Sequence, residues 1–200
     1  MIELDVIVTR SGRILIAHDY LDVSRREPLT LDEGLDLFTR PPLDRVEVDC
    51  DLKVPAGEEE LVAALRERDL LPRAMVSTAE LGSLAELKRL APELRLGWAY
   101  PRVRRDWATT RWAAPAVAVA IVYLRRQLPG LLDRKLRGGL EIDEIWPYYR
   151  LASRRLVEVA ERHGLEVIAW TIDDLPSMRR LLELGVHGIC SNDPRLFDRL

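Results

Sequence analysis

Short apolar runs alternate along the chain with longer amphipathic stretches. The apolar runs have the length of buried parallel strands, and several of them end in polar residues. They predict strands at Ile2–Val8, Val46–Leu52, Arg73–Ser77, Leu94–Ala99, Glu141–Ile145, Glu166–Thr171 and Gly188–Cys190, with a further short strand at Ile14–Ala17. The repeated order of strand, helix and strand is typical of right-handed βαβ units around a parallel sheet.

Helical spacing and capping signals predict the helices between these strands. Thr30, with Glu33 three residues later, has the pattern of a capping box. Gly164 and Gly185 are typical of helix ends in the left-handed conformation. The predicted helices are Leu29–Phe38, Glu58–Arg68, Thr78–Leu90, Ser153–His163 and Ser177–Leu184.

The segment Ala113–Arg137 allows two interpretations. It contains either a strand at Val117–Val122 followed by a helix, or one kinked helix. Its basic residues beside leucines fit a membrane surface, but the solvated outer face of a barrel helix is the favoured interpretation. The apolar run at its start falls well short of the ~20 residues that a membrane span needs.

Seven main strands with helices between them favour an eight-stranded (β/α) barrel. Seven strands in an open sheet would leave two bare edges. An open doubly wound sheet is the competing fold, but no Gly-rich phosphate loop of the G-x-G-x-x-G type follows any predicted strand. We predict one domain over residues 1–200.

Composition excludes some classes of partner. The net charge is −3, which provides no basic surface for nucleic acid. No secretory signal is visible at Met1, and we expect a cytoplasmic protein without stable membrane insertion. The two cysteines, Cys50 and Cys190, lack the spacing of a zinc site.

Two of the predicted strands carry acidic side chains on one face. Glu3 and Asp5 are two residues apart, so they point to the same side of the first strand. On the second strand strict alternation collects Glu47, Asp49, Asp51 and Lys53. Buried carboxylates require compensation, and oxygen ligands of this kind suit Mg²⁺ or Ca²⁺. A salt-bridged face in contact with solvent is the alternative.

Two further side chains follow predicted strands. His18 comes directly after the short strand Ile14–Ala17, where the active-site loops of a barrel gather. An imidazole at this position suits general acid or base chemistry. Trp170 lies near the end of a strand, where it either borders a binding pocket or fills the core.

Together these motifs resemble the glycerophosphodiester phosphodiesterase family. The resemblance covers nearly the whole chain in family order, although each piece alone is weak. The matching pieces are I-E-L-D-V at 2–6, S-G-R-I-L-I-A-H-D at 11–19, P-L-T-L-D-E-G-L at 28–35, D-L-K at 51–53, M-V-S-T at 75–78, V-I-A-W-T-I-D-D at 167–174 and L-L-E-L-G-V-H-G-I-C-S-N-D-P at 181–194.

The resemblance implies a TIM-like (β/α)₈ barrel of the phospholipase-C-like phosphodiesterase type. It also implies metal-dependent hydrolysis of glycerophosphodiesters to glycerol 3-phosphate and an alcohol, with Mg²⁺ or Ca²⁺ as the cation. By position, His18 corresponds to a catalytic histidine, while Lys53 and Trp170 correspond to substrate-binding residues. The positions that correspond to the family's metal ligands are Glu3, Asp5 and Asp51.

The chain departs from the family pattern at two places that bear on activity. The opening His-Arg-Gly strand of the family has no counterpart here, so we expect a barrel that lacks its first β-α unit and one of two catalytic histidines. The loss of one acid–base group typically lowers a rate ~10²–10⁴-fold. Asp51 stands where the family usually has Glu, and its shorter side chain puts contact with the metal in question.

Three hypotheses follow from these departures. The first is an active enzyme whose true start lies upstream of Met1. The second is a catalytically impaired protein that binds phosphodiesters or phospholipid headgroups. The third is a phospholipase-D-like lipid hydrolase on the same barrel, with the basic stretch from Arg125 to Arg137 facing a membrane. The sequence leaves the oligomeric state open.

Overall fold

The computed structural model describes residues 1–102 and 114–200. The chain divides into two compact units, Met1–Trp98 and Ala99–Leu200. Strands and helices alternate within each unit, as the sequence pattern predicted. The prediction of a single domain over the whole chain stays a prediction.

The first unit is a mainly parallel sheet with helices between its strands. Strand β2 runs antiparallel to β1, whereas β1, β3, β4 and β5 are paired in that order and are parallel. Its elements are β1 (Ile2–Val8), β2 (Ile14–Ile16), α1 (Tyr20–Arg25), α2 (Leu31–Asp36), β3 (Val48–Leu52), α3 (Glu58–Glu67), β4 (Ala74–Thr78), α4 (Leu81–Leu90) and the first part of β5 (Arg95–Tyr100).

The register between β1 and β3 places acidic residues side by side. Glu3 lies opposite Asp49, and Asp5 lies opposite Asp51. Because side chains alternate along a strand, these four carboxylates share one face of the sheet. The other face of the same strands is apolar and carries Leu4, Val6, Cys50 and Leu52. The helices of this unit bury Leu35, Leu61, Leu65, Leu84 and Leu87 completely.

The predicted capping box at the start of α2 is confirmed. Thr30 Oγ1 accepts a hydrogen bond from the Glu33 N–H at 3.2 Å, and the Glu33 carboxylate accepts one from the Thr30 N–H at 2.8 Å. These bonds satisfy backbone donors that have no partner within the helix. The helix itself is short, and a 3₁₀ turn at Leu37–Thr39 continues it.

Several element boundaries differ from the prediction by one to three residues, and one helix was not predicted. The predicted helix Thr78–Leu90 begins three residues later, because Thr78 is the last residue of β4 and its Oγ1 donates to the Leu52 carbonyl at 2.7 Å. Helix α1 was not predicted. The Asp19 side chain caps it by accepting from the Asp22 N–H at 2.8 Å.

In its described residues, the second unit contains three further parallel strands and three α-helices. Strand β6 pairs with β7, and β7 pairs with β8. The predicted stop at Gly185 is confirmed, since this residue caps its helix with φ 97°. The elements are α5 (Ala114–Arg137), β6 (Glu144–Pro147), α6 (Arg154–Arg162), β7 (Glu166–Ala169), α7 (Leu175–Leu184) and β8 (Gly188–Ile189).

The segment before β6, for which the sequence allowed two interpretations, is one helix from Ala114 to Arg137 with Pro129 inside it. The strand interpretation at Val117–Val122 is therefore wrong, while Ala113 lies outside the described residues. The second half of α5 buries Leu128 and Leu132, whereas the residues before them are exposed or half-buried. Within the described part of the chain, no helix combines the length and apolarity needed to cross a bilayer.

Gly34 in α2 provides a test of packing in the first unit. A Cβ at this position would approach Ile16 Cγ1 to 2.9 Å. Alanine favours a helix over glycine by about 1 kcal/mol, but overpacking a filled site costs about 1–3 kcal/mol. We therefore expect Gly34→Ala to lower the urea midpoint of unfolding.

Gly82→Ala in α4 is the matched control. A Cβ there would meet no atom within 4 Å, so the helix preference acts alone and the midpoint should rise. A raised midpoint for Gly34→Ala as well would show that Ile16 does not fill the space beside α2.

Candidate functional site

The carboxyl-bearing faces of β1 and β3 bring three candidate ligands together. Oxygen atoms of Glu3, Asp5 and Asp51 all lie within 4.8 Å of one another. Glu3 is exposed, whereas Asp5 and Asp51 are half-buried. The shorter side chain of Asp51 therefore does not keep it from this cluster. A set of carboxylate oxygens has the chemistry that Mg²⁺ and Ca²⁺ prefer.

Lys53 lies against the same acidic cluster. Its Nζ is 2.5 Å from Asp5 Oδ1 and also pairs with the Asp51 carboxylate. The residue directly follows β3, and its backbone N–H donates to the Val6 carbonyl at 2.9 Å. Three carboxylates and one ammonium carry a net charge of two negative units, which a divalent cation would balance.

Burial and neighbouring charges shift the pKa values of Asp51 and Lys53. Burial raises the pKa of Asp51 to about 6, and the attraction of Lys53 only partly opposes this effect. Burial also lowers the pKa of Lys53, but the carboxylates of Asp51 and Asp5 outweigh it, so the net pKa is raised. The ammonium therefore keeps its charge at neutral pH.

Asp49 is fully buried beside the cluster. It accepts hydrogen bonds from the Ser77 N–H at 3.0 Å and from the Ser77 hydroxyl at 2.8 Å. Burial raises the pKa of Asp49 well above its usual value, and the charges of Asp51 and Glu3 add to this shift. Sequence reasoning did not assign Ser77, although its place in M-V-S-T near the end of a predicted strand was the available signal.

Glu47 shares the predicted acidic face but does not join the cluster. It lies before the first residue of β3 and pairs with Arg95 at 3.2 Å. The interpretation of this face as a solvated, salt-bridged surface fits Glu47, whereas the clustered carboxylates lie further along the strands.

His18 lies in the first unit, just after β2. The N–H of the preceding Ala17 donates to the Asp5 carbonyl at 2.9 Å, which ties this segment to the strand that carries the acids. The imidazole is 70% exposed, and its Nδ1 is 3.3 Å from Asp19 Oδ2. An exposed imidazole beside a carboxylate can exchange a proton with a bound substrate.

Trp170 belongs to the second unit and follows β7 directly. Its Nε1 donates to the Trp146 carbonyl at 2.7 Å, and its ring meets the edge of Tyr148 with 5.9 Å between ring centroids. Tyr148 in turn contacts Tyr149 at 4.8 Å. These three rings are half-buried, so they present aromatic surface near the ends of β6 and β7. A substrate-binding role for Trp170 stays a prediction.

Comparison with known proteins decides the family. The model of the glycerophosphoryl diester phosphodiesterase family matches residues 41–196, well over half of the chain. The chain belongs to this family. The matched region includes Asp51, Lys53 and Trp170, while Glu3, Asp5 and His18 precede it.

Curated relatives carry the same family name. A glycerophosphodiester phosphodiesterase of Caldanaerobacter subterraneus subsp. tengcongensis is 24% identical over 226 residues, which cover 96% of this chain and 82% of the relative. One from Arabidopsis thaliana is 35% identical over 88 residues, covering 44% of this chain and 26% of the relative.

Solved structures of family members share the fold. A glycerophosphoryl diester phosphodiesterase from Agrobacterium tumefaciens has a TM-score of 0.73 at 20% identity, covering 98% of this chain and 83% of that one. A phosphodiesterase of Oleispira antarctica, solved with the product sn-glycerol-3-phosphate, has a TM-score of 0.66 at 16% identity, with 98% and 83% covered. These similarities confirm the predicted fold class, an α/β fold of the TIM-barrel type of this phosphodiesterase family that is consistent with a missing first β-α unit.

The Asp173 side chain connects the loop after β7 with the loop after β8 by hydrogen bonds. It accepts hydrogen bonds from the Ser191 hydroxyl at 2.9 Å and from the Asn192 N–H at 2.8 Å. Hydrogen bonds from the Asn192 side chain and backbone lower the pKa of Asp173. Because the folded pKa lies below the unfolded one, this stabilisation is present above the unfolded pKa and is lost as pH falls through the folded pKa.

We therefore expect Asp173→Asn to lower the free energy of unfolding more at neutral pH than at pH values below the folded pKa of Asp173. Urea unfolding at both pH values measures the difference. Asp198→Asn, which changes an exposed carboxylate of the same unit, is the control. An equal loss at the two pH values would contradict the assigned role of the Asp173 charge.

Proposed function

We propose that this chain hydrolyses glycerophosphodiesters to glycerol 3-phosphate and an alcohol with the help of one divalent cation. The observation that carries this proposal is the grouping of Glu3, Asp5 and Asp51 beside Lys53 in a member of this family. The names of the curated relatives support it, as does the product sn-glycerol-3-phosphate in the Oleispira antarctica structure.

Glu3, Asp5 and Asp51 would hold the cation, either Mg²⁺ or Ca²⁺. The residues fit such an ion because they offer only oxygen atoms and together exceed the charge of Lys53 by two. When bound, a divalent cation neutralises charge on phosphoryl oxygens and polarises the phosphorus centre. Burial raises the pKa of Asp51, and a bound cation would lower this pKa because it favours the charged carboxylate.

Lys53 and His18 would act directly on the phosphodiester. Lys53 keeps its charge and can donate to a phosphoryl oxygen, where charge accumulates during the reaction. His18 would exchange a proton with the attacking oxygen or with the oxygen of the departing alcohol. Its exposed ring leaves room for a substrate to approach.

Trp170 would border the substrate, as its correspondence to a substrate-binding residue of the family implies. Aromatic rings provide a rigid apolar surface, while the indole N–H of Trp170 already has the Trp146 carbonyl as its partner. We further propose one phosphodiesterase domain over residues 1–200. The family match over 41–196 together with the motifs at 2–19 supports this extent. The cytoplasmic location stays a prediction.

The direct test measures glycerol 3-phosphate released from glycerophosphocholine and glycerophosphoethanolamine. We expect release in Mg²⁺ or Ca²⁺ and none in EDTA. Asp51→Ala should abolish release and cation binding together, since it removes a ligand, and His18→Ala should lower the rate about 10²–10⁴-fold without loss of cation binding. Asp44→Ala, at an exposed position, is the control.

A cation-loaded protein that releases no product would refute the hydrolase proposal. If it still bound sn-glycerol 3-phosphate in calorimetry, the result would favour the headgroup-binding hypothesis. The first unit, whose residues are all described, contains one histidine, His18. Because the family resemblance implies two catalytic histidines, this observation favours the headgroup-binding alternative.

Lys53→Met separates cation binding from catalysis. Removal of the ammonium leaves Asp5 and Asp51 without their countercharge, so Ca²⁺ should bind about tenfold more tightly or better. Hydrolysis should fall by about 10²-fold, because a donor to the phosphoryl oxygen is lost. Calorimetry and the product assay measure the two effects, with Lys88→Met on α4 as the control. Weaker Ca²⁺ binding in Lys53→Met would contradict competition between the two cations.

A further inference from the structure

The first half of α5 is apolar on its outward side. Between Ala114 and Leu124 the sequence has no charged residue. A half-buried stripe at helical spacing consists of Val117, Ile121 and Leu124. The opposite side is exposed, with Val119 at 71%, Val122 at 51% and Tyr123 at 62% exposure.

Helix α6 of the same unit provides a comparison, because its exposed side has the composition that is usual in contact with water. It buries Leu156, Val157, Val159 and Ala160 on one side. Its exposed side carries Arg154, Arg155, Glu158, Glu161 and Arg162. The exposed side of α5 has valine, alanine and tyrosine where α6 has charges. Contact with water alone does not account for such a surface.

Two arginines mark the end of this apolar surface. Arg125 and Arg126 directly follow Leu124, and both are exposed. The next acidic residue along the helix is Asp133, about two turns further. A guanidinium binds phosphate oxygens in a bidentate manner and is favoured at phosphate surfaces. The charge next to the apolar side chains is therefore complementary to anionic lipid headgroups.

The width of the exposed apolar surface also bears on its partner. A helix that packs on a second protein needs one apolar stripe with polar flanks. Here the exposed side is uncharged across its whole width, which favours a fluid apolar medium over a second helix.

We propose that residues 114–126 of α5 dock this protein reversibly on an anionic phospholipid bilayer. The side chains of Val119, Val122 and Tyr123 enter the boundary between headgroups and acyl chains. Arg125 and Arg126 bind the lipid phosphates at the surface. This docking does not depend on the proposed hydrolysis.

Co-sedimentation of the whole chain with vesicles tests the proposal. We expect binding to vesicles of phosphatidylcholine with phosphatidylglycerol and weaker binding to phosphatidylcholine alone. The double variant Val119→Gln with Val122→Gln should bind both at least about tenfold more weakly, because it removes apolar side chains. Arg125→Gln with Arg126→Gln should lose about tenfold on the anionic vesicles only.

Matched controls change the same residue types elsewhere on the surface. Leu182→Gln with Phe197→Gln alters exposed apolar side chains of the second unit, and Arg45→Gln with Arg180→Gln alters exposed arginines. Both should bind vesicles as the parent chain does. Circular dichroism checks that every variant is folded.

Three results would overturn the proposal. The first is a folded parent chain that binds neither vesicle. The second is equal vesicle binding by the Val119→Gln, Val122→Gln variant. The third is a dimer, seen by light scattering, that this variant converts to monomers, since a second copy would then cover the surface. Product release from soluble glycerophosphocholine is measured separately, so failure of docking and failure of hydrolysis are distinguishable.

Discussion

The parallel pairing of β1 with β3 is the constraint on which the candidate site depends. Its register sets Glu3 beside Asp49 and Asp5 beside Asp51 on one face of the sheet. Such a concentration of carboxylates is unfavourable unless something compensates for it. Lys53, directly after β3, compensates in part by pairing with two of the acids. The remaining charge is what makes the site suited to a divalent cation.

Asp49 and Asp51 differ in their surroundings and therefore in what they can do. Asp49 is sealed from solvent and bonded to Ser77, and its raised pKa favours the neutral form. Asp51, two residues later, is half-buried beside Lys53, and its pKa is raised to about 6. One strand thus provides both a hydrogen-bonded carboxyl beside the cluster and a candidate ligand within it. Burial raises the pKa of both residues, and the Lys53 ammonium opposes the rise at Asp51, so neighbouring groups separate two chemically identical side chains.

The second unit combines an aromatic cluster with an apolar helix surface. Trp170 and Tyr148 directly follow β7 and β6, and their rings meet edge to face. Strand ends are where barrel enzymes place their loops and sites. The exposed apolar half of α5 is a separate feature of this unit, and the proposed lipid surface is a chemically consistent partner for it.

Residue patterns within short segments of the sequence determined many of the local structural features of this protein. Strand alternation put the acids on one side, the Thr30–Glu33 pair capped α2, and Gly185 ended α7, because each of these features depends on residues close in the chain. Tertiary structure alone decided the β1–β3 register, the burial of Asp49 against Ser77 and the helical form of Val117–Val122. Each of these depends on pairing, burial or helix propagation beyond the local segment, which a residue pattern does not specify.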